Sequence, residues 1–597
     1  METIAKKNAI KGGEFLIRDT AANDIFIAEE FSEEQRMMAE ACQDFIEQEI
    51  WPHVERMDSM EAGFMEGLLT KAGELGLLGV SVPEEYGGLS MNFNTSMLMA
   101  DIIGAAGSFS TAFGAHTGIG TLPILYYGNE AQKEKYIPRL ATGEWKACYC
   151  LTEPDAGSDA NSGKTKAVLN EAGTHYLISG QKMWISNAGF ADVFIVFARI
   201  EDDKYLSAFI VEKDFGNITL GEEEKKLGIK GSSTRQVFFN ETPVPVENML
   251  SDRGNGFKIA VNILNIGRIK LGAGVIGGCK HIVNLCTNYS IERKQFGKSI
   301  ANFGAIKHKL AEMAIRTFVT EAAAYRAGQD IEDKIEDLKG QGLTKEKALL
   351  KGVEQFAIEA AIIKIFGSEV LDYVVDEGVQ VYGGMGYSAD APMERAYRDS
   401  RIARIYEGTN EINRMLLVGM IVKRAMKGEL DLLGPAMAVA KELMSMPSFG
   451  SEYSGLFADE KEVLKKLKKA ILMVAGKAAQ DLGPKLNDEQ ELLMNLADMA
   501  IEAYVVESAI LRVEKLAGMR GESAVDLQAK MVKVYLYEAV EKIGAAGREA
   551  IMAFAKDDDM KMLMMGMKRF TKPYMVNTTA FRREIADHLI EREGYAI

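Results

Sequence analysis

Up to about residue 146, apolar residues recur at the three- and four-residue spacing of an amphipathic helix. Ser32 and Gln35 have the spacing of a capping box, in which each side chain binds the backbone N–H of the other residue. The first apolar run follows directly and consists of Met37, Met38, Ala41 and Phe45. This pattern predicts an N-terminal helical domain over residues 1–146.

The pattern changes between about residues 147 and 255, where short runs of β-branched and aromatic residues alternate with clusters of Gly, Asn and Asp. Such runs are typical of strands joined by turns. The clearest runs are 176–178 (YLI), 193–197 (VFIVF), 208–211 (AFIV) and 237–239 (VFF). Residues 147–255 are therefore predicted to form a β-domain inserted between helical domains.

Helical spacing returns at residue 256. The run 257–286 contains glycines but no proline, which favours one long helix in a helical bundle over 256–427. A segment with Gly and Pro at 428–435 then indicates a linker at the start of a further helical domain, 428–597. In that last domain one helical stripe consists of Leu493, Leu496, Ala500 and Ala503.

The composition excludes some classes of function. The 597 residues carry a formal net charge of -16, so non-specific binding of nucleic acid, which needs Lys and Arg against phosphates, is not expected. The five cysteines include no CxxC pair, and the six histidines show no metal-ligand spacing. We therefore expect no metal site, and we expect a reducing compartment.

The N-terminal segment has neither the apolar core of a secretion signal nor the Arg-rich character of an organelle transit peptide. No uninterrupted apolar run approaches the roughly 18 residues that a membrane-spanning helix needs. The sequence therefore predicts a cytoplasmic protein.

Five motifs follow one another at a characteristic spacing. They are LTEPDAGSD (151–159), KMWISN (182–187), ERKQFG (292–297), VQVYGGMGY (379–387) and RIYEGTNEI (404–412). In this order they resemble the acyl-CoA dehydrogenase family, and the resemblance covers about residues 30–425. The helical region from about residue 430 onward resembles the extra domain of the very-long-chain branch. The implied fold is mainly α, with an N-terminal helical domain, a β-barrel-like domain, a four-helix bundle and an extra C-terminal helical domain.

The resemblance implies that Glu407, in the YEGT part of the last motif, removes the α-proton of an acyl thioester. A buried carboxyl group has a raised pKa and is a better base at neutral pH than a solvated one. In the family, the backbone N–H of this glutamate and a flavin ribityl hydroxyl polarise the thioester carbonyl. Taken alone, Glu407 before Gly408 would be read as a solvated glutamate at a helix end.

Some relatives carry the base on the long helix, just before an arginine. The matching position here is Gly267, followed by Arg268. Because glycine cannot act as a base, this favours Glu407. Arg268 is expected either to contact the substrate or to form a structural ion pair.

The resemblance also implies FAD as the cofactor. Trp184 would exclude water from the isoalloxazine ring, and Ser186, where many relatives carry Thr, would donate to the N5 edge. Thr152 and the backbone of Leu151 would contact the pyrimidine end of the ring. Ser158, in a Gly-Ser-Asp turn, would lie near phosphates of CoA and flavin. Without the resemblance, Trp184 would be read as a core aromatic and Thr152 as a solvent-facing strand residue.

A second group of implied FAD contacts comes from the bundle. Arg293 and Phe296 match a segment that reaches the FAD of a neighbouring subunit, where arginine pairs with pyrophosphate in a fork geometry. Gln380, Gly383 and Gly384 match the segment beside the adenosine half. The FAD site would then cross a subunit interface, which predicts a homodimer.

The expected substrate is an acyl-CoA with a long chain. Ser110 and Gly114 match positions at the bottom of the acyl pocket that bulky side chains fill in medium-chain relatives. Each buried CH₂ contributes about 0.8 kcal/mol, so a deeper pocket favours longer chains. Tight helix packing through small residues is the alternative explanation. Further substrate contacts are expected from Ser158, Arg268, Tyr406 and Gly408, and a further FAD contact from Thr409.

Two other features have simpler explanations. His116 lies near the predicted pocket but is expected to be a hydrogen-bonded core residue. The basic segment 461–477 could contact an anionic membrane surface weakly, or could be a solvated helix face, and the acidic composition favours the second. The methionine-rich segment 560–567 suits adaptable packing.

The resemblance implies oxidation of a saturated acyl-CoA to a trans-2-enoyl-CoA in fatty-acid β-oxidation, with electrons passed to an electron-transfer flavoprotein. An acyl-CoA oxidase remains an alternative, although oxidases tend to be longer and to lack this tail. A scaffold or assembly protein that has lost activity is a second, and retention of Glu407, Trp184 and Arg293 argues against it. A DNA-associated branch uses a basic C-terminal region, which this acidic chain lacks.

Overall fold

The computed structural model describes residues 10–443, 445 and 452–597, so the first nine residues of the predicted N-terminal domain lie outside it. The predicted capping box is confirmed. The backbone N–H of Gln35 donates to Ser32 Oγ at 3.2 Å, and the backbone N–H of Ser32 donates to Gln35 Oε1 at 2.9 Å. The α-helices of this region are α1 (Glu33–Phe45), α2 (Val54–Asp58), α3 (Phe64–Glu74), α4 (Phe93–Ile103), α5 (Ser108–Gly114), α6 (Leu122–Tyr127) and α7 (Glu130–Ala141).

A β-domain follows, and each of the four predicted strand runs lies in a strand. The strands are β1 (Ala147–Cys150), β2 (Lys166–Leu169), β3 (His175–Ser186), β4 (Val193–Ile200), β5 (Ser207–Glu212), β6 (Ile218–Leu220), β7 (Thr234–Pro245) and β8 (Met249–Leu250). Their order in the sheet is β6-β7-β3-β2-β4-β5-β8, and β1 pairs in parallel with β4 from Ala147↔Val193 to Cys150↔Val196. Because Cys148 and Cys150 are two residues apart in β1, they share a face of the strand, and their Sγ atoms lie 4.0 Å apart.

The long helix predicted from residue 257 is confirmed and organises the bundle. The elements of this region are α8 (Gly256–Glu292), β9 (Lys294–Gln295), β10 (Lys298–Ser299), α9 (Gly304–Gly340), α10 (Lys345–Gln355), α11 (Ala357–Tyr382), α12 (Gly384–Tyr387), α13 (Pro392–Ser400) and α14 (Asn410–Met426). Directly after α4 the chain crosses α8 so closely that a Cβ at Gly104 would lie 1.6 Å from the carbonyl oxygen of Gly274.

Within the described chain, α8 is the one helix long and apolar enough to cross a membrane. Most of its apolar window is buried inside the fold. The core helix of a soluble bundle has the same length and composition, so this feature is weak evidence for a membrane span.

The described part of the C-terminal region contains six α-helices. They are α15 (Leu433–Leu443), α16 (Ala458–Leu482), α17 (Gln490–Arg520), α18 (Asp526–Phe554), α19 (Asp557–Phe570) and α20 (Thr578–Glu591). The stripe predicted from Leu493 to Ala503 is the buried face of α17. The overall architecture of helices, an inserted β-domain, a helical bundle and extra C-terminal helices is the fold class that the sequence predicts.

Buried ion pairs join the C-terminal helices to the rest of the chain. Arg512 of α17 lies 2.8 Å from Glu29 and 2.6 Å from Glu321 of α9. Arg326 of α9 lies 3.0 Å from Glu507 of α17. Removing one partner of a buried pair leaves an uncompensated charge and costs about 3–5 kcal/mol. These contacts therefore hold the extra domain in a fixed position against the bundle.

The basic segment 461–477 lies in α16, and most of its lysines pair with carboxylates of the same chain. The pairs are Lys461 with Glu514, Lys465 with Glu452, Lys468 with Glu507, Lys469 with Glu442, and Lys477 with Asp481 and Asp559. Internal pairing reduces the positive charge that this helix can offer to an anionic surface.

Candidate active site

The YEGT motif forms the turn before α14. Glu407 and Gly408 both have positive φ angles, 57° and 84°. A glutamate in this conformation is strained and must be held by its surroundings. On the C-terminal side the turn is fixed by Thr409, whose hydroxyl caps α14 by accepting a hydrogen bond from the backbone N–H of Ile412 at 3.2 Å.

Three side-chain donors hold the carbonyl oxygens of this turn. Arg268 Nε of α8 donates to the Glu407 carbonyl oxygen at 3.0 Å, and Lys364 Nζ of α11 donates to that of Gly408 at 2.7 Å. Asn413 Nδ2 of α14 lies 3.4 Å from the first of these oxygens and 2.8 Å from the second. Three different helices therefore fix the peptide planes that orient Glu407.

The Glu407 carboxyl group is buried, and its Oε2 has no hydrogen-bond partner among the described residues. Burial raises the pKa of Glu407 to about 7, although the cations Arg268 and Lys364 oppose this rise. A Cβ at Gly267 would lie 2.8 Å from Glu407 Oε2. The two positions at which the resembling family carries its base therefore meet at one point, and the missing side chain at 267 leaves room for the carboxylate.

Glu407 lines a cavity of about 330 Å³ between the N-terminal helices, the β-domain and α8. This volume is within the range of small-molecule binding sites. The apolar part of the wall includes Met99, Ile103, Phe113, Ile119, Ile266 and Ile282. Of the other residues predicted from the sequence, the cavity is lined by Ser110, Gly114, Ser186 and Tyr406.

The floor predicted at Ser110 and Gly114 is open. Ser110 Oγ donates to the carbonyl oxygen of Gly107 at 2.7 Å, and a Cβ at Gly114 would meet no atom within 4 Å. Helix α5 continues into widened π-helical turns, Ala115–Gly120, which also contribute to the wall. Such turns occur often at functional sites.

The β-domain contributes Ser186, the last residue of β3. Trp184, two residues earlier, has a φ of 59°, lies at an irregularity in the pairing of β3 with β7, and is 55% exposed. The backbone N–H of Met183 donates to the carbonyl oxygen of Thr152 at 3.0 Å, which brings Thr152 and Leu151 next to Trp184. Leu151, Thr152 and Trp184 therefore lie beside Ser186 but do not line the cavity.

Ser158, Arg268 and Gly408 do not line the cavity either. Ser158 is exposed in the segment after β1. Besides its bond to the Glu407 carbonyl, Arg268 donates from Nη1 to Asn265 Oδ1 at 2.8 Å, so the structure gives it a role in holding the turn. Direct contact of these three residues with a substrate stays a prediction.

Arg293 and Phe296 lie beyond the other end of α8. Both are exposed, and Phe296 is 93% exposed with a φ of 52°. The 26 residues from Gly267 to Arg293 correspond to about 39 Å along a helix axis. Arg293 and Phe296 therefore cannot reach the Glu407 of their own chain.

Gln380, Gly383 and Gly384 lie at the junction of α11 and α12, close to the same end of α8. The rings of Tyr289 and Tyr382 stack there with centroids 4.0 Å apart and connect the two helix ends. The structure thus divides the predicted residues into a group in or near the cavity and a group at the far end of α8.

The donor sets of both groups fit FAD. The guanidinium of Arg293 has no ion-pair or hydrogen-bond partner in the described part of the chain, so it is available to a pyrophosphate. A Cβ at Gly383 or Gly384 would meet no atom within 4 Å, so a ligand can approach the backbone there. The hydroxyls of Thr152 and Ser186 are of the kind that hydrogen-bonds the polar edge of a flavin ring.

His116 is the hydrogen-bonded core histidine that the sequence predicts. The backbone N–H of Ala147 donates to Nδ1 at 3.1 Å, and Nε2 lies 2.9 Å from the carbonyl oxygen of Leu140. Burial lowers the pKa of His116 to about 4, so the ring is neutral. Among the described residues, no cluster of three His, Cys, Asp or Glu side chains could hold a metal ion.

Two buried lysines near the site were missed by sequence reasoning. Lys182, in the KMWISN motif, lies 2.6 Å from Glu153 of the LTEPDAGSD motif and so ties these two motifs together. Lys364 binds the carbonyl of Gly408 and, at 2.7 Å, Asn410 Oδ1. Lys364 stands alone in the apolar run 360–366 (AAIIKIF), which was the available signal for a buried, paired lysine.

The chain matches four family models. The model described as acyl-CoA dehydrogenase, N-terminal domain, matches residues 32–144, and the model of the middle domain matches residues 148–242. Two models described as acyl-CoA dehydrogenase, C-terminal domain, match residues 254–421 and 466–569. The matches together span most of the described chain, including the extra domain.

Known proteins resemble the chain over most or all of its length. A probable acyl-CoA dehydrogenase of Bacillus subtilis is 44% identical over 597 residues, covering 100% of both chains. The mitochondrial very long-chain specific acyl-CoA dehydrogenase of Rattus norvegicus is 36% identical over 87% of this chain and 79% of that protein. The crystal structure of an acyl-CoA dehydrogenase complexed with FAD from Bacillus anthracis has 45% identity and a TM-score of 0.96, over 99% of this chain and 100% of that one.

Proposed function

The chain belongs to the acyl-CoA dehydrogenase family, and we propose that it oxidises long saturated acyl-CoA thioesters to trans-2-enoyl-CoA in fatty-acid β-oxidation. It is an oxidoreductase with FAD as its cofactor. We further propose that an electron-transfer flavoprotein receives the electrons. The observation that carries the proposal is the buried Glu407 carboxyl group, with one unpartnered oxygen, on the wall of a mainly apolar cavity.

Glu407 acts as the base. Its raised pKa, about 7, means that the carboxylate holds a proton more tightly than a solvated glutamate does, which suits removal of a proton from carbon. The backbone N–H of Glu407 has no acceptor among the described residues, so it is free to bind the thioester oxygen. A bound FAD would supply the acceptor for the hydride that leaves the β-carbon.

The shape of the cavity supports a long acyl chain. Gly267, Gly274, Gly278 and Ile282 line one side of it along α8, and the 15 residues from Gly267 to Ile282 correspond to about 22 Å. The open space beside Gly114 adds to this depth. The very long-chain relative of Rattus norvegicus agrees with this choice of substrate.

The separation of the two residue groups supports a homodimer. Arg293, Phe296, Gln380, Gly383 and Gly384 form a donor set for FAD that lies far from Glu407 in the same chain. We propose that this end of α8 completes the FAD site of a second copy, which a two-fold dimer would do twice. We propose a cytoplasmic location, and the pairing of the α16 lysines favours at most a weak peripheral membrane contact.

The test is anaerobic mixing of the purified holoprotein with palmitoyl-CoA while the absorbance of oxidised flavin is followed. We expect the band to bleach, and the Glu407→Gln variant to retain FAD but bleach at least 100-fold more slowly, since a positioned base contributes about 10²–10⁴. A yellow protein that no acyl-CoA bleaches would contradict the proposed activity. A chain that binds no FAD at all would favour the scaffold alternative.

A further inference from the structure

Lys270 lines the same cavity as Glu407, one helical turn from Gly267 on α8. Within the described residues its ammonium group forms no hydrogen bond, ion pair or ring contact. Burial lowers the pKa of Lys270 to about 8, and no acidic neighbour opposes this effect. An unpartnered cation is unusual inside an apolar cavity, because transferring a charge out of water is costly unless it is paired.

The other buried lysines of the chain show how this cost is normally met. Lys182 pairs with Glu153 at 2.6 Å, and Lys280 lies 3.1 Å from Asp101 and 2.6 Å from Glu321. Lys364 binds a carbonyl and an amide oxygen, and Lys468 pairs with Glu507. Lys270 differs from all of them in facing open space rather than a partner.

The remaining ionisable groups on the wall do not supply a partner. Asp399 and Glu407 line the cavity but do not contact Lys270, and burial lowers the pKa of His281 to about 4, so His281 is neutral. In the part of the chain that the structure describes, Lys270 is the one Lys or Arg side chain on the wall. A negatively charged ligand inside the cavity would therefore be attracted at this point and repelled by both acids.

Water that enters the cavity can hydrate the ammonium group of Lys270. A purely hydrocarbon chain that fills the cavity removes this water and offers no acceptor in return, which weakens binding. A carboxylate at the right position would replace the water with a charge-assisted hydrogen bond. We propose that Lys270 binds a carboxylate carried by the acyl chain, so that carboxylated acyl-CoA thioesters are preferred substrates; this inference rests on the proposed function.

The geometry of α8 bounds the position of the carboxylate along the acyl chain. From Lys270 to Ile282, the cavity follows the helix for 12 residues, or about 18 Å. The long lysine side chain can point along this length, so a homologous series of ω-carboxyacyl-CoA thioesters is needed. The chain length with the highest preference over the unsubstituted acyl-CoA would measure the distance from Glu407 to the ammonium group.

The experiment compares kcat/KM for each ω-carboxyacyl-CoA with that for the unsubstituted thioester of equal length, by anaerobic flavin bleaching. Lys270→Met keeps an unbranched side chain of similar length without the charge, and Lys270→Arg keeps the charge. We expect the best ω-carboxy substrate to lose about ten- to a hundredfold in Lys270→Met, and the unsubstituted one to gain. Lys270→Arg should keep the preference. Binding can also be measured without turnover, as the Kd of the same thioesters for Glu407→Gln holoprotein. We expect Lys270→Met in that background to weaken binding of the ω-carboxy thioester relative to the unsubstituted one.

Equal changes for both kinds of substrate in Lys270→Met, or no change in either, would overturn the inference while leaving the proposed function intact. A wild-type protein that prefers the unsubstituted thioester at every length would overturn it in the same way. If no thioester bleaches the bound FAD of the wild-type protein, the proposed function and this inference both fail.

Discussion

The two ends of α8 are built differently. Near Gly267 the helix is buried, and its surroundings hold Glu407 with donors from three helices. Near Arg293 the chain emerges as a small β9–β10 hairpin, where Arg293 and Phe296 are exposed and do not line the cavity of Glu407. One end places Glu407 on the wall of a cavity of its own chain, and the other exposes the residues that we propose to bind FAD.

This difference agrees with the two functions proposed for the two ends, proton transfer near Gly267 and FAD binding near Arg293. The carboxyl group proposed to transfer the proton needs a fixed environment that raises its pKa. Only close packing of several elements provides such an environment. The groups proposed to bind the pyrophosphate and the adenosine would need exposure, because in the proposed dimer they reach a ligand outside their own chain. Substitutions at the buried end should therefore lower the rate of the reaction, and substitutions at the exposed end should lower the affinity for FAD.

The largest effect is expected at the buried end. In Gly267→Ala the new methyl group would lie 2.8 Å from Glu407 Oε2, so the carboxylate must move. A displacement of about 1 Å at a reacting group can cost about a hundredfold in rate, so we expect kcat for palmitoyl-CoA to fall by about that factor. FAD content, measured from the flavin absorbance of the purified protein, should not change.

The matched control is Gly419→Ala, in the middle of α14, where a Cβ would meet no atom within 4 Å. This variant should keep wild-type kcat. Full activity of Gly267→Ala would mean that the carboxylate does not depend on the space over Gly267.

At the exposed end we expect loss of FAD rather than loss of chemistry. Arg293→Ala would remove the proposed charge-assisted contact with the pyrophosphate, so FAD affinity should fall by about ten- to a hundredfold, as measured by fluorescence titration of the apoprotein. The distant Arg520, exposed at the end of α17, provides a control as Arg520→Ala.

Co-expression separates a site within one chain from a site shared by two. In a mixed dimer of Glu407→Gln and Arg293→Ala chains, a shared arrangement leaves one site with both native residues. At limiting FAD, random mixing should then restore up to about a quarter of wild-type activity, while either variant alone stays low. Absence of complementation, with mixed dimers verified by mass, would place both residues in the site of a single chain and contradict the proposed dimer site.

Much of this architecture can be predicted from the sequence because it depends on local pattern. The capping box at Ser32, the long α8 and the strand runs follow from spacing and turn residues. Glu407 lies beside Gly267, and these two positions match the two places at which members of the resembling family carry the base. Such features involve either neighbours in sequence or motifs that a family carries as a unit.

Other parts of the site depend on contacts between distant residues, which spacing does not reveal. Lys364 meets Gly408 across 44 residues, and Lys182 meets Glu153 across 29. A lysine in an apolar run indicates a buried charge but does not identify its partner. For Lys270 the same signal exists in the run around Ile269, yet the absence of any partner becomes visible only in the folded chain.

The pH dependence of turnover should report on the buried end. Burial disfavours the charged form of Glu407, so the group is protonated and inactive as a base below a pH of about 7. We expect kcat/KM for palmitoyl-CoA to rise about tenfold per pH unit in acid and to level off above this pKa. Anaerobic measurement of kcat/KM between pH 5.5 and 9 would test this prediction. The range extends to both sides of the pKa of Glu407, about 7.

Gly419→Ala should reproduce the wild-type profile. A profile with its midpoint near the ordinary pKa of glutamate, about 4.3, would show that the carboxyl group is solvated during catalysis. With that outcome, the Glu407 carboxyl group would be exposed to solvent like Arg293 and Phe296, and the two ends of α8 would no longer differ in burial.

The smallest effect is expected at the floor of the cavity. Gly114→Leu would place a side chain in space that is now empty, at the last residue of α5, without a change in the helical backbone. Because each CH₂ excluded from the cavity costs about 0.8 kcal/mol, displacement of one or two CH₂ groups in total should lower kcat/KM for palmitoyl-CoA by about four- to fifteenfold. A short acyl-CoA that does not reach the floor should keep its wild-type value in the same protein and thus serves as the internal control. An equal loss for short and long chains would mean that Gly114 affects helix packing rather than the far end of the acyl chain. The depth of the cavity at the buried end would then have to come from the residues of α8 alone.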